Sequence, residues 1–262
     1  MDSITKTLDM ARSYDVSFQK DLFPLEAVQI HQSTQGSADL KVIVTATNNK
    51  DYAVKTVDDG NGYVPATELF CYELAKLIDV PTPSFDLITM RDGSLAFGSV
   101  WEGGVHNISN MNRLLDVLLG KIKVRDLNQF LSRVYAFDLF INNIDRHFGN
   151  YLFRQSYNSL IGLAFDYSRA WYEVDAYQYD SLEDKSSNTQ RCNVFIREHK
   201  KYDRNTATQT LKRISEIEKN KIELVLRSIP DEWLPKEIKN NVASWWGSEL
   251  MQERILKIMG GL

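Results

Sequence analysis

Two carboxylates and one amide stand at spacings that could support phosphate chemistry. The segment Asn143–Asn150 reads NIDRHFGN, which places Asp145 and Asn150 in one short polar stretch, and Asp166 follows in the sequence AFDY. Carboxylate and amide oxygens are ligands that suit Mg²⁺, and a carboxylate can also orient the proton of an attacking hydroxyl. These residue types and spacings predict a metal-nucleotide site for phosphoryl transfer.

A long helix and a hairpin are expected to bring these oxygens together. Apolar residues at helical spacing predict a helix over Asp126–Asn142, which ends just before Asp145. Two short strands, Tyr151–Arg154 and Ile161–Phe165, would form a hairpin that returns Asp166 to the loop. Asp145 would then be rigidly supported by the helix and still exposed to a substrate.

The first third of the chain has the pattern of β-strands with one helix inserted. Apolar and β-branched runs between turn signals predict strands at Leu25–His31, Leu40–Thr47, Tyr52–Lys55, Phe85–Met90 and Leu95–Val100. The inserted helix would be capped near Thr67, would continue to Ile78, and would be ended by Pro81 and Pro83.

Beyond the stretch Trp101–Gly104, whose glycines allow a joint, the pattern changes to helix. Further helices are predicted at Met111–Leu119, Thr206–Ser228 and Glu237–Met259. The predicted fold class is therefore α+β and bilobal. It has a strand-rich N-lobe over residues 1–104 and a helical C-lobe over residues 105–262.

Composition and charge exclude several function classes. The chain has 262 residues and a net charge of −4, so no overall basic field favours nucleic acid. Cys71 and Cys192 do not stand at zinc-ligand spacing. Met1–Lys20 lacks the apolar core of an export signal, and apolar runs elsewhere are too short to span a bilayer. We therefore expect a cytoplasmic protein without nucleic-acid or membrane partners.

The motif DRHxxN at residues 145–150, followed by FD at residues 165–166, resembles the catalytic and metal-binding loops of HipA-like kinases. Phosphoinositide kinases share the DRHxxN pattern. Two further segments agree in order with the HipA-like family. Glu68 followed by LAKLIDVPTP at residues 74–83 resembles its helix and Leu-Pro-x-Pro connection, and IPDEWL at residues 229–234 resembles its Ile-Pro-x-x-Trp segment. The resemblance covers residues 25 to 257 and implies a protein-kinase-like fold that uses ATP and Mg²⁺.

The resemblance implies a role for each matched residue of the catalytic segment. Asp145 would be the catalytic base, and Asn150 and Asp166 would hold magnesium. Arg146 and His147 would stabilise either the loop or the transferred phosphate. From sequence alone, Asp and Asn in such a loop could also serve only to cap turns.

The resemblance also implies the contacts of the nucleotide. Lys55 would bind its phosphates and Glu68 would pair with Lys55. The adenine would lie against the segment that ends at Glu102. The loop with Gly36 and Ser37 would cradle phosphates, although it carries a single glycine. Lys55 could instead be a solvated edge residue, and Glu73 competes with Glu68 on the same helix.

The function implied by the resemblance is transfer of the ATP γ-phosphate to a serine or threonine of a protein, by a toxin-type kinase. Its partners would be a protein substrate and an antitoxin protein. Two alternatives stay open: a small-molecule or phosphoinositide kinase, and a nucleotide-binding pseudokinase that acts as an interaction module. Family members switch off by autophosphorylation, for which Ser33, Thr34, Ser37 and a mobile loop at Asp184–Asn193 are candidates.

Overall fold

The computed structural model describes residues 24–32, 42–101, 105–106, 111–174 and 182–262. Its contacts divide the chain into two compact units. The first contains Met1–Thr56 and Ser84–Trp101, and the second contains Val57–Pro83 and Glu102–Leu262. Residues 57–83 thus group with the second unit although they lie within the predicted N-lobe. The lobe boundary near residue 104 stays a prediction.

The first unit is a closed five-stranded barrel. Its strands are β1 (Leu25–Gln32), β2 (Val42–Ala46), β3 (Asp51–Lys55), β4 (Phe85–Thr89) and β5 (Leu95–Val100), in the order β1-β2-β3-β5-β4. All neighbours are antiparallel except β1 and β4, which pair in parallel and close the barrel. Alternate residues point inward, and their buried core is Val44, Ala46, Tyr52, Val54, Ile88 and Ala96. The strand predictions for this part of the chain are confirmed over the described residues, and Leu40 and Lys41 of the second predicted strand lie outside them.

The second unit combines helices with a small sheet. The helices are α1 (Val64–Leu77), α2 (Met111–Leu118), α3 (Leu127–Phe140), α4 (Asn188–Glu198), α5 (Arg204–Ser215), α6 (Lys219–Ser228), α7 (Lys236–Trp245) and α8 (Glu249–Gly261). The antiparallel sheet contains β6 (Val105–His106), β7 (Tyr151–Ser156) and β8 (Ser159–Ala164). Among the described residues, no helix is both long enough and apolar enough to cross a bilayer.

Helix α3 lies at the centre of this unit and leads into the candidate site. Side chains around most of its circumference are buried, including Phe130, Val134 and Phe137. At its C-terminal end, Arg254 of α8 donates hydrogen bonds to the carbonyl oxygens of Leu139 (3.0 Å) and Phe140 (3.2 Å). A cation at this end complements the helix dipole and satisfies carbonyls that have no partner within the helix.

Three predicted helix boundaries are wrong. The segment Thr206–Ser228 forms two helices, α5 and α6, and Glu237–Met259 forms α7 and α8. The second break is made by Gly247, whose φ is 79°, and by Ser248, whose side chain caps α8 at the Met251 N–H. Apolar residues continue across both breaks, so the periodicity alone did not reveal them.

The third wrong helix boundary is the predicted N-terminal cap of α1. The helix begins at Val64, with Pro65 in its first turn, and Tyr63 precedes it. Thr67 therefore lies inside the helix, where it is fully buried.

Candidate active site

The segment Asn143–Asn150, which we name the DRH loop, is tied to the end of α3 by Asn143. The Asn143 N–H and its side-chain amide donate to the carbonyl and the carboxylate of Asp138, each at 2.8 Å. The amide oxygen of Asn143 in turn accepts the N–H of Asp145 at 3.1 Å. The backbone of the predicted base is thus fixed relative to a buried helix.

Arg146 and Asp138 form a buried ion pair beneath the loop. Arg146 Nε and Nη2 donate to the two carboxylate oxygens of Asp138 at 2.9 and 3.0 Å, and the side chains are 1% and 0% exposed. Burial alone would lower the pKa of Arg146, but the Asp138 carboxylate raises it well above its ordinary value. The guanidinium, which also lies 4.8 Å from the centre of the Tyr167 ring, stays charged.

The remaining guanidinium nitrogen of Arg146 joins the loop to the end of β8. Nη1 donates to the carbonyl of Asn150 at 3.0 Å and to the carbonyl of Phe165 at 2.5 Å. The Phe165 N–H also donates to the Asn150 carbonyl at 3.2 Å. Because Phe165 directly precedes Asp166, these bonds hold the Asn150 and Asp166 backbones side by side. Of the two roles implied for Arg146, the contacts support stabilisation of the loop.

Asp145 and Asn150 are oriented by direct hydrogen bonds. The Asn150 side-chain amide donates to the Asp145 carbonyl at 3.1 Å, and this bond fixes the orientation of the amide. The half-buried Asp145 carboxylate accepts a hydrogen bond at Oδ1 from the Asn188 side chain, at 2.5 Å. Within the described part of the chain, Oδ2 of Asp145 accepts none.

Asp166 adopts a left-handed backbone conformation with φ of 60°, which aspartate tolerates better than most residues. Its Oδ1 accepts hydrogen bonds from Ser168 Oγ (2.6 Å) and the Ser168 N–H (3.3 Å). The next residue, Tyr167, donates its N–H to Glu68 of α1 at 3.0 Å, and Glu68 is 1% exposed. The predicted Glu68 is therefore attached to the segment that carries Asp166.

His147 has a local structural contact. Its ring Nδ1 accepts the N–H of Gly149 at 3.0 Å, so the side chain caps the single turn Phe148–Asn150. The ring is otherwise exposed. Its role toward a phosphate stays a prediction.

Asn150 and Asp166 fit the requirements of a magnesium site. They offer one amide and one carboxylate oxygen, and Mg²⁺ commonly takes one or two protein carboxylates and completes its shell with phosphates and water. In the ranges that the structure describes, no cluster of three or more His, Cys, Asp or Glu residues could hold a metal by itself. A cation held jointly with a nucleotide is consistent with this donor set.

The other predicted nucleotide contacts do not belong to the segment Asn143–Asn150. Lys55 ends β3 in the first unit and is 8% exposed, so it is not a solvated edge residue. Glu68 belongs to the second unit, and its pairing with Lys55 stays a prediction. Gly36, Ser37 and Glu102 lie outside the described residues, as do Ser33 and Thr34.

Three positions that matter to the loop were missed by the sequence analysis. The role of Asp138 could have been predicted from the sequence, because a lone carboxylate in an apolar helix stripe close to an arginine suggests a buried ion pair. No sequence pattern indicates the roles of Asn188 and Thr189, since their contacts with the loop span more than forty residues. The second half of Asp184–Asn193, interpreted as a mobile loop, is the first part of α4.

One protein-family model matches most of the chain. The family model described as HipA-like kinase matches residues 28–258. No curated protein matches the chain significantly.

Two solved structures are similar to this chain. The Helicobacter pylori proinflammatory kinase CtkA is 17% identical with a TM-score of 0.57, over 91% of this chain and 96% of that one. HipA of Shewanella oneidensis MR-1, solved with HipB and operator DNA, is 12% identical with a TM-score of 0.47, over 84% of this chain and 60% of that one. The likeness to CtkA shows a shared fold. With the family match over residues 28–258, we conclude that the chain belongs to the HipA-like kinase family.

Proposed function

We propose that this kinase transfers the γ-phosphate of ATP, with Mg²⁺, to a serine or threonine hydroxyl of a protein. The observation that carries the proposal is the set of Arg146 hydrogen bonds, which hold the loop of Asp145 and Asn150 against the residue before Asp166. Phosphoryl transfer depends mostly on positioning and charge stabilisation. A buried cation that fixes three oxygen-bearing residues supplies the positioning.

In the proposed reaction, Asp145 acts on the acceptor hydroxyl. Its carboxylate accepts the proton as the hydroxyl oxygen bonds to the γ-phosphorus. The bond between that phosphorus and the bridging oxygen of the β-phosphate breaks, and ADP leaves with the electron pair. Oδ2 is the carboxylate oxygen suited to this task, because Asn188 occupies Oδ1.

Asn150 and Asp166 would hold the magnesium ion. When bound, it would neutralise charge on the phosphates of ATP. Lys55, paired with Glu68, would contact the same phosphates. The loop with Gly36 and Ser37 would cover them, and the segment ending at Glu102 would hold adenine. The bilobal arrangement and the cytoplasmic location expected from the sequence pattern, and the antitoxin partner implied by the resemblance, belong to the same proposal.

The acceptor class is tested by following labelled γ-phosphate. Purified wild-type protein and an Asp166→Asn variant are incubated with labelled ATP, with and without Mg²⁺. The acceptors are a cell extract, phosphoinositide vesicles and a mixture of small hydroxyl compounds. We expect magnesium-dependent label in phosphoserine or phosphothreonine of protein, with wild type only. Label in lipid or small molecules would favour those acceptors instead, and nucleotide binding without transfer would indicate a pseudokinase.

A further inference from the structure

The first turn of α4 is attached to the DRH loop through Thr189. The Thr189 hydroxyl donates to the Asn143 carbonyl at 2.5 Å and accepts the Arg146 N–H at 3.0 Å. The Thr189 N–H donates to the Ile144 carbonyl at 3.4 Å. Thr189 is only 1% exposed, and its buried hydrogen bonds join this turn to the loop on both sides of Asp145.

Asn188, the residue before Thr189, is exposed and donates its side-chain amide to Asp145 Oδ1. The start of α4 does not need this side chain, because Ser187 is the cap and its Oγ accepts the Gln190 N–H. Within the part of the chain that the structure describes, the Asp145 carboxylate is the one hydrogen-bond partner of the Asn188 amide.

We propose that Asn188 is a positioning residue for the phosphoryl transfer. It fixes the rotamer of Asp145 and leaves Oδ2 as the oxygen that takes the proton of the acceptor hydroxyl. The inference rests on the proposed function, in which Asp145 is the base. A hydrogen bond to a carboxylate holds its orientation more firmly than a neutral one does, and a small misplacement of a catalytic group costs rate.

A merely structural role for Asn188 predicts a different order of variants. Asn188 is the first residue of α4, where a carboxylate interacts favourably with the helix dipole. Asn188→Asp should therefore be the milder change for folding, and Asn188→Ala the harsher one. If Asn188 positions Asp145, Asn188→Asp should instead lower kcat more than Asn188→Ala does. The new carboxylate has the shape of the amide but cannot donate a hydrogen bond to Asp145 and repels it.

The test measures kcat, KM for ATP and thermal unfolding for wild type, Asn188→Ala, Asn188→Asp and Asp145→Asn. Glu198→Gln is the control, because this residue is exposed at the other end of α4. We expect kcat to fall about 10- to 100-fold in Asn188→Ala, the range that loss of a charged hydrogen bond implies, and further in Asn188→Asp. KM for ATP should match that of wild type and Glu198→Gln in both Asn188 variants, and the unfolding midpoint should fall no further in Asn188→Asp than in Asn188→Ala.

Two distinct results would overturn the inference. In the first, Asp145→Asn abolishes transfer, but Asn188→Ala keeps the wild-type kcat or Asn188→Asp is more active than Asn188→Ala. Asp145 is then the base, and Asn188 does not position it. If wild type and Asp145→Asn transfer phosphate equally, or neither does, the proposed function fails and the role of Asn188 fails with it.

Discussion

At the scale of single residues, the buried charge of Arg146 organises the site. Its guanidinium makes hydrogen bonds to Asp138, Asn150 and Phe165 from a position that is 1% exposed. The residue in the middle of the DRH motif therefore acts on the loop from beneath. A buried ion pair of this kind adds little net stability over apolar residues, but removing one partner is costly because the other charge loses its compensation.

Arg146→Ala should lower the free energy of unfolding by about 3–5 kcal/mol, because Asp138 would stay buried without its cation. Urea denaturation followed by circular dichroism measures this change. Arg227→Ala is the control, since its exposed pair with Glu223 should contribute less than about 1 kcal/mol. Equal effects of the two substitutions would contradict a charge-compensating role for Arg146.

The two cysteines should be unreactive in the folded protein. Burial raises the pKa of Cys192 to about 12 and that of Cys71 well above its ordinary value, so neither thiol ionises near neutral pH. At pH 8 we expect a disulfide reagent to label native protein very slowly and unfolded protein at both sites. A Tyr157→Cys variant, whose position is 95% exposed, is the positive control. Fast labelling of two thiols in native wild type would show that these sites are open.

At the scale of elements, residues that follow β8 form hydrogen bonds and ring contacts with the start of α1. Glu173 accepts hydrogen bonds at its carboxylate from the N–H groups of Asn61 and Tyr63, and its carbonyl accepts the Asn61 side-chain amide at 3.1 Å. The Trp171 ring stacks on Phe70 of α1 at 3.8 Å. Together with the Glu68–Tyr167 bond, these contacts fix α1 against the segment that carries Asp166.

A glycine is required at position 60, just before α1, for two reasons. Its φ is 58°, and a Cβ there would lie 2.1 Å from the Glu173 carboxylate. Gly60→Ala should cost about 2–4 kcal/mol of unfolding free energy, through left-handed strain and disruption of a buried carboxylate. Gly120→Ala is the matched control, because Gly120 has φ of 77° and open space around it, so only the strain of about 1–2 kcal/mol applies. Equal losses of unfolding free energy in the two variants, measured by thermal or urea denaturation, would contradict this explanation of Gly60.

Elements with local signals could be predicted from the sequence, and contacts between distant segments could not. The barrel strands and α3 follow from alternation and helical periodicity. The breaks after α5 and α7 lie within continuous apolar patterns, and α4 lies in a polar stretch that local propensity assigns to a loop. In the site, Asp145, Asn150 and Asp166 are named by the motif. The positions of Asp138, Asn188 and Thr189 depend on tertiary packing that no local pattern encodes.

At the scale of the whole molecule, ligand binding and stability are linked. A nucleotide that binds the folded chain but not the unfolded one stabilises it by mass action. In the proposed site the magnesium ligands Asn150 and Asp166 are sixteen residues apart in sequence, and Arg146 donates hydrogen bonds to the carbonyls of Asn150 and of Phe165, the residue before Asp166. Binding should therefore depend on the folded loop and on the metal together.

Saturating Mg²⁺-ATP should raise the unfolding free energy by about 2.7 kcal/mol at one hundred times Kd. Differential scanning fluorimetry, with ATP alone and Mg²⁺ alone as controls, measures the shift in Tm. Asp166→Asn should lose most of the magnesium-dependent part, because it removes a carboxylate ligand. An identical shift with and without Mg²⁺, in both proteins, would argue against a magnesium site at Asp166.

The measurement that tests the central claim most directly is the initial rate of γ-phosphate transfer by wild type and Asp145→Asn, under conditions where both bind ATP. The amide has the shape of the carboxylate but cannot accept the proton. We expect Asp145→Asn to bind Mg²⁺-ATP like wild type and to lose at least about a hundredfold in rate, the lower range for a general base. A variant that transfers phosphate at the wild-type rate would contradict the assignment of this loop as the catalytic centre.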